Sequence, residues 1–213
     1  MKENVLPADI EARSFEIIKE ELAERGISPD PVNDPVIRRA IHTTADFEYA
    51  ETLVFTENAV QYARELIAGG AFIVTDTNMA LTGINKRRLA AYGGSVRCFM
   101  ADADVASEAK ERGITRASVS MEHAARDIKE SGRRAIFAIG NAPTALIALR
   151  QMHDEGSFTP DFVIGVPVGF VNVVEAKELI IETDIPHIVN RGRKGGSTVA
   201  AAIVNALVYG MDR

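Results

Sequence analysis

Apolar residues recur with two different periods along this chain, and the change of period marks its organisation. Over 10–25, Ile10, Ile17, Ile18 and Leu22 fall on one helical stripe that stops at Gly26. Ser14 sits on that stripe, four residues after Ile10 and four before Ile18. Pro29, Pro31 and Pro35 mark a loop, and Asp34-Pro35 opens a second helix that turns Val36, Ile37, Ala40, Ile41 and Thr44 inward. From residue 57 onward, short continuous apolar runs at 71–75, 96–100, 135–139, 162–166 and 187–189 read as strands. Helical patterns at 57–68 (capped by Thr56), 104–112, 116–131, 142–154, 171–182 and 196–209 fill the gaps. Strands apolar on both faces and separated by helices predict a parallel sheet covered on both sides. Five of them predict a flavodoxin-like, doubly wound α/β/α sandwich, a single domain over 1–213, with the first two helices packed outside it. Helix 196–209 is small and apolar almost all round, which suits burial in a monomer or packing on a partner equally.

Composition narrows the class. The 213 residues are 46% hydrophobic and 25% charged, as in soluble globular proteins. No apolar run approaches the roughly 20 residues of a membrane span. The start, Met1-Lys-Glu-Asn-Val-Leu-Pro7, has no signal-peptide core, so a cytoplasmic protein is expected. A lone cysteine, Cys98, inside a predicted strand excludes an intrachain disulfide or a cysteine-rich metal site. The net charge of −6 argues against nucleic-acid binding. Positive residues nevertheless cluster at Arg38 and Arg39, at 86–88, and at Arg191, Arg193 and Lys194, as an acidic protein that holds an anion requires.

The third cluster lies in Arg191-Gly-Arg-Lys-Gly-Gly-Ser-Thr198, where a strand tip turns into a helix. Free backbone N–H groups and the positive end of a helix dipole favour an anion there, with Lys194, Gly195, Gly196 and Ser197 beside Arg191. A glycine turn with solvated basic residues satisfies the same string. No Gly-Lys-Ser/Thr triplet ends it, no Gly-x-Gly-x-x-Gly follows a strand, and no Gly-x-Ser-x-Gly occurs. Asp76-Thr-Asn78 occupies the place of an aspartyl nucleophile but lacks the second acid of a magnesium site. Ligands in such sheets bind beyond the carboxyl ends of the strands, which puts the tips after residues 75, 100, 139, 166 and 190 in view.

Of the four histidines, His42 is the candidate acid or base. One helical turn separates it from Arg38 and from Asp46, and Arg39 lies three residues before it. The arginines would lower its pKa and the carboxylate would raise it. His123 reads as solvated, His153 as a helix-end cation, and His187 as a strand opener; none has metal-ligand spacing.

Arg39-Ala-Ile-His42, Asp76-Thr-Asn-Met79 with Gly83-Ile84, Ala138-Ile-Gly-Asn-Ala-Pro-Thr-Ala-Leu146, Gly165-Val-Pro-Val-Gly-Phe-Val171 and the segment 191–205 occur in this order. Together they resemble the precorrin-8X methylmutase (precorrin isomerase) family of cobalamin biosynthesis, over nearly the whole chain. The resemblance implies a homodimeric isomerase that moves a methyl group between adjacent carbons of ring C of a tetrapyrrole, (cobalt-)precorrin-8, by a suprafacial sigmatropic shift that gives cobyrinic or hydrogenobyrinic acid. It implies no dissociable cofactor; cobalt, where present, belongs to the substrate. It assigns catalysis to His42, which would protonate or hydrogen-bond the ring-nitrogen region, and substrate contacts to Ser14 and Arg39. It also places Thr82-Gly83 near the neighbouring subunit's site and Arg116 on a substrate carboxylate. The Glu-rich first helix and Arg193-Lys194-Gly-Gly lean toward the cobalt-containing branch. A macrocycle fringed with carboxylates fits the gathered basic clusters. Two other classes stay open: a non-catalytic tetrapyrrole carrier, and an aspartyl phosphohydrolase using Asp76.

Overall fold

All residues of the strand Ala135–Ile139 are buried, and alternate ones serve opposite faces of one sheet. Ile136 and Ala138 join one apolar cluster; Ala135, Phe137 and Ile139 join another. Each fully buried isoleucine or phenylalanine of this kind contributes about 1.5–3 kcal/mol. Two-sided burial is why these runs are continuously apolar.

The computed structural model describes residues 6 and 9–212, so most of the segment with no signal-peptide core lies outside the described residues. The elements are α1 (Ile10–Glu24), α2 (Asp34–Thr44), α3 (Tyr49–Thr52), β1 (Leu53–Phe55), α4 (Ala59–Ala68), β2 (Phe72–Thr75), α5 (Asn78–Gly83), α6 (Lys86–Ala91) and β3 (Ser95–Arg97). They continue with α7 (Ala103–Arg112), α8 (Arg116–Ser131), β4 (Ala135–Ile139), α9 (Pro143–Asp154), β5 (Phe162–Gly165), α10 (Val173–Ile181), β6 (His187–Asn190) and α11 (Ser197–Tyr209). A 3₁₀ turn, Gly210–Asp212, ends the described chain.

The described residues form a six-stranded sheet in the order β1-β6-β5-β4-β2-β3, not the five strands expected. The five parallel strands are those read from the sequence. The sixth, β1, is antiparallel to β6, with Val54 opposite Val189. Its ladder extends through Arg191 N–H to the Thr52 carbonyl and Thr56 N–H to the His187 carbonyl, covering the β6 edge. Thr56 therefore caps no helix: its hydroxyl accepts from His187 N at 3.0 Å, and α4 starts after Asn58. Cys98 lies just past β3 rather than inside a strand, and is buried.

One layer, built from α1, α2, α4 and α11, packs on one face of the sheet; α7 to α10 pack on the other. Helix α11 is buried nearly all round within this chain, against α2, α5, α4 and β4. The stripe on α1 is narrower than expected, because Ile18 and Leu22 are buried while Ile10 and Ile17 are exposed. Among the described residues no helix is long and apolar enough to cross a membrane.

Candidate active site

The outer surface of the α1/α2/α11 layer carries the candidate site. Pro35 sits in the first turn of α2, and Ala45, in the left-handed conformation at φ 55°, ends that helix. Ala45 N–H closes the last turn on the Ile41 carbonyl at 2.7 Å. Val36, Ile37, Ala40 and Ile41 face inward, which leaves Arg39, His42 and Thr43 on the outer side.

His42 is exposed, and its ring stacks on Phe15 of α1 with centroids 5.0 Å apart and planes 17° from parallel. The Arg39 guanidinium lies 4.6 Å from the same Phe15 ring and 5.4 Å from the Tyr209 ring, and pairs with Glu11 at 2.6 Å. Two hollows meet at Arg39 and Tyr209. One, of about 350 Å³, is lined by Phe15, Arg38, Arg39, Arg64 and Tyr209. The other, of about 240 Å³, follows α11 from Thr198 to Tyr209, between Thr43 of α2 and Met79 and Gly83 of α5. The groove thus starts near the strand tips and runs back along α11, rather than lying in the crevice beyond the sheet.

The expected grouping around His42 is only partly assembled. Arg38 forms an ion pair with Asp34. Asp46 falls past the helix end, where its carboxylate accepts from Lys194 Nζ at 2.5 Å and from Glu48 N–H at 3.0 Å. The Lys194 hydrogen bond holds the Asp46 carboxyl below its ordinary value, against opposing desolvation. Ser14 is on the α1 side of the site, with its hydroxyl donated to the Ile10 carbonyl at 2.8 Å. Thr82 and Gly83 are exposed. Asn205 of α11 fixes that corner, donating to the Gly83 carbonyl at 2.9 Å and accepting from Asn85 N–H at 2.8 Å. Arg116 is exposed at the start of α8, in the other layer, so one chain does not bring it to the His42 groove.

The cationic turn before α11 differs from a simple anion cradle. Arg191 pairs with Glu178 at 3.2 Å, Arg193 lies 5.5 Å from the Phe170 ring, and Lys194 bridges Asp46 and Glu48. Gly195 and Gly196 have φ of 158° and 140°. A Cβ on Gly195 would stand 2.0 Å from the Val166 carbonyl oxygen, so only glycine allows this approach. Ser197 shares a 2.8 Å hydrogen bond with Thr77.

Asp76 has a structural part here. Buried completely, its carboxylate accepts from Gly140, Asn141 and Ala142 N–H at 2.9, 2.7 and 2.7 Å, filling the start of α9 with an internal anion. Burial pushes its pKa up while the three amides oppose that shift. A carboxylate committed to three amides is not placed as a phosphoryl acceptor. His123, expected to be solvated, is 12% exposed and meets Glu108 at 2.8 Å. Sequence reasoning missed Phe15, Arg64, Met79 and Tyr209; an aromatic beside Ser14 on the helix facing His42 was the available signal for Phe15.

Fold and groove define an α/β protein with an exposed imidazole and a groove lined by guanidinium groups. A family model described as precorrin-8X methylmutase matches residues 9–210. Cobalt-precorrin-8 methylmutases of Priestia megaterium and Salmonella typhimurium are each 44% identical to the chain, over 95% of it and over 88% and 95% of their own lengths. Precorrin-8X methylmutase of Pseudomonas aeruginosa is 38% identical over 92% of this chain and 91% of its own. The solved structure of precorrin-8X methylmutase from Thermus thermophilus matches with a TM-score of 0.83 and 39% identity, covering 94% of this chain and 96% of that one. The chain belongs to the precorrin-8X methylmutase family, isomerases of cobalamin biosynthesis.

Proposed function

We propose that this chain moves a methyl group between adjacent carbons of ring C of precorrin-8, with His42 hydrogen-bonding or protonating the ring-nitrogen region during the shift. The observation that carries this is the exposed imidazole stacked on Phe15, on the same helix as Arg39 and Thr43, which line the open groove. A sigmatropic shift consumes and releases no net proton. The imidazole's task is therefore to favour the rearranged conjugated system by where it places a hydrogen bond. Arg39 and the neighbouring Arg38 and Arg64 take the acidic side arms, in competition with Glu11 and Asp34 for the first two. Ser14 borders the ring edge, and Arg191, Lys194 and the Gly195-Gly196-Ser197 turn meet the fringe at the groove's other end.

The cobalt-containing ring is the favoured substrate, because the 44%-identical relatives carry that name and the 38%-identical one does not. Such cobalt arrives inside the substrate, and the chemistry calls on no dissociable cofactor. The active form is a homodimer in which Thr82-Gly83, exposed at a corner pinned by Asn205, approaches the neighbouring groove. Arg116 has to come from the second copy if it is to touch the same ring. The order of the five parallel strands supports the flavodoxin-like description.

Absorption spectra of the purified chain with precorrin-8, in metal-free and cobalt forms, test this reading. Conversion of the cobalt form is expected, and conversion of neither form overturns the isomerase. His42→Ala is expected to lower kcat by about 10²–10⁴-fold with product binding retained. Full turnover by that variant removes His42 from the reaction; a wild type that binds the ring and converts none of it is what a carrier would show. Sedimentation at working concentration reads the dimer.

A further inference from the structure

Lys177 on α10 is fully buried, and no carboxylate among the described residues pairs with its ammonium. A buried ammonium costs free energy that an aliphatic side chain would not, so its hydrogen bonds define what it does. Nζ donates to the carbonyls of Gly192 and Lys194, both at 2.8 Å. Two neighbours act in the same direction. Asn190 Nδ2 donates to the carbonyls of Arg191 at 3.2 Å and Lys194 at 2.9 Å, and Gly169 N–H to that of Arg193 at 3.2 Å.

Four successive carbonyls, 191 to 194, are thus held by donors, three of them (191, 192 and 194) by the buried side chains of Lys177 and Asn190. Their negative ends are withdrawn, while Arg191, Arg193 and Lys194 are exposed. The turn then enters α11, whose positive end adds to the same outer face. Lys194 clamps the turn that follows His42's helix, and Thr198 lines the groove.

We infer that Lys177 is a positioning residue for substrate binding: it holds the 191–194 turn by the carbonyls of Gly192 and Lys194, so that the outer face receives a carboxylate of the macrocycle. This rests on the precorrin-8 reading. Burial lowers the Lys177 pKa to about 8. The charged groups around it are Arg191, Arg193 and Lys194 on the turn, with Glu178, Asp46 and Glu48, which already engage Arg191 and Lys194. A polycarboxylate arriving over the turn supplies negative charge that favours the protonated amine. Affinity therefore weakens as pH rises through the Lys177 pKa.

Wild type, Lys177→Met and Lys177→Gln are titrated with cobyrinic acid, the product of the shift on the cobalt-containing ring, and assayed with cobalt-precorrin-8 across neutral and alkaline pH. Lys177→Met is expected to raise KM and the product Kd by about tenfold, with kcat held within about threefold. Lys177→Gln, which keeps a donor without the charge, falls between, and both variants lose the alkaline weakening seen in wild type. Unchanged KM in folded variants, or a loss confined to kcat, overturns the inference. So does a wild-type KM that stays flat from neutral pH to well above the Lys177 pKa, a result that needs no variant to fold. Wild type that converts no precorrin-8 overturns the functional reading and this inference together; normal wild-type turnover with insensitive variants overturns the inference alone.

Discussion

His42 owes its orientation to a neighbour that no motif announces. A histidine near the exposed end of a helix can adopt several rotamers, and stacking on Phe15 selects one while leaving the ring open to solvent. Such aromatic pairs contribute about 0.5–1.5 kcal/mol beyond area burial. Phe15→Ala is therefore expected to cut kcat by about 2- to 10-fold, because part of that preference is lost at the reacting geometry. Turnover measured with saturating precorrin-8 checks it; a variant with unchanged kcat would show that Phe15 only packs α1 on α2. His42 and Arg39 were legible in the sequence because both project from the outer face of a strongly amphipathic helix. Asp46 was misplaced because one left-handed residue, Ala45, ends the helix and sends the chain toward Lys194. Helical spacing arithmetic cannot foresee that turn.

At the scale of elements, the site depends on close backbone approach around the start of α11. Gly195 N–Cα geometry at φ 158° and the 2.0 Å clash awaiting any Cβ make Gly195→Ala a direct probe. We expect it to destabilise the chain by about 1–3 kcal/mol through strain at a glycine-only conformation. Chemical denaturation reads that cost, and a midpoint equal to wild type would show that the turn relaxes freely. The regular alternation after residue 57 was readable because each strand is apolar on both faces. Short elements were not: β1 has three residues, and α5 and α6 have six each. Their caps were nonetheless written in the sequence. Thr77 accepts from Ala80 N–H and Asn85 from Arg88 N–H. Without a full turn of apolar periodicity, such caps look like ordinary loop residues.

The whole molecule couples its stability to pH through groups buried without a counter-charge. Burial lowers the His187 pKa below 6.5, against the raising effect of its hydrogen bond to the Ile185 carbonyl. The unfolded chain then binds more protons than the folded one as pH falls through the ordinary histidine range. Stability is accordingly present above that range and lost below it. The urea midpoint is expected to fall between about pH 7 and pH 5, and to fall less in His187→Gln. Equal falls in both proteins would remove His187 as the cause. Lys177 gives the same sign at higher pH, where its burial penalty is relieved between about 8 and its ordinary 10.5. The residue pattern carried the parallel sheet, the two helical layers and the helix that bears His42, because hydrophobic periodicity is local and strong. It also held the motifs of the family. Three-dimensional packing was needed to bring Phe15 against His42, Asp76 to the start of α9 and Lys177 beneath the cationic turn. Those contacts join residues far apart in the chain, and which partner a polar side chain meets is settled by packing rather than by spacing.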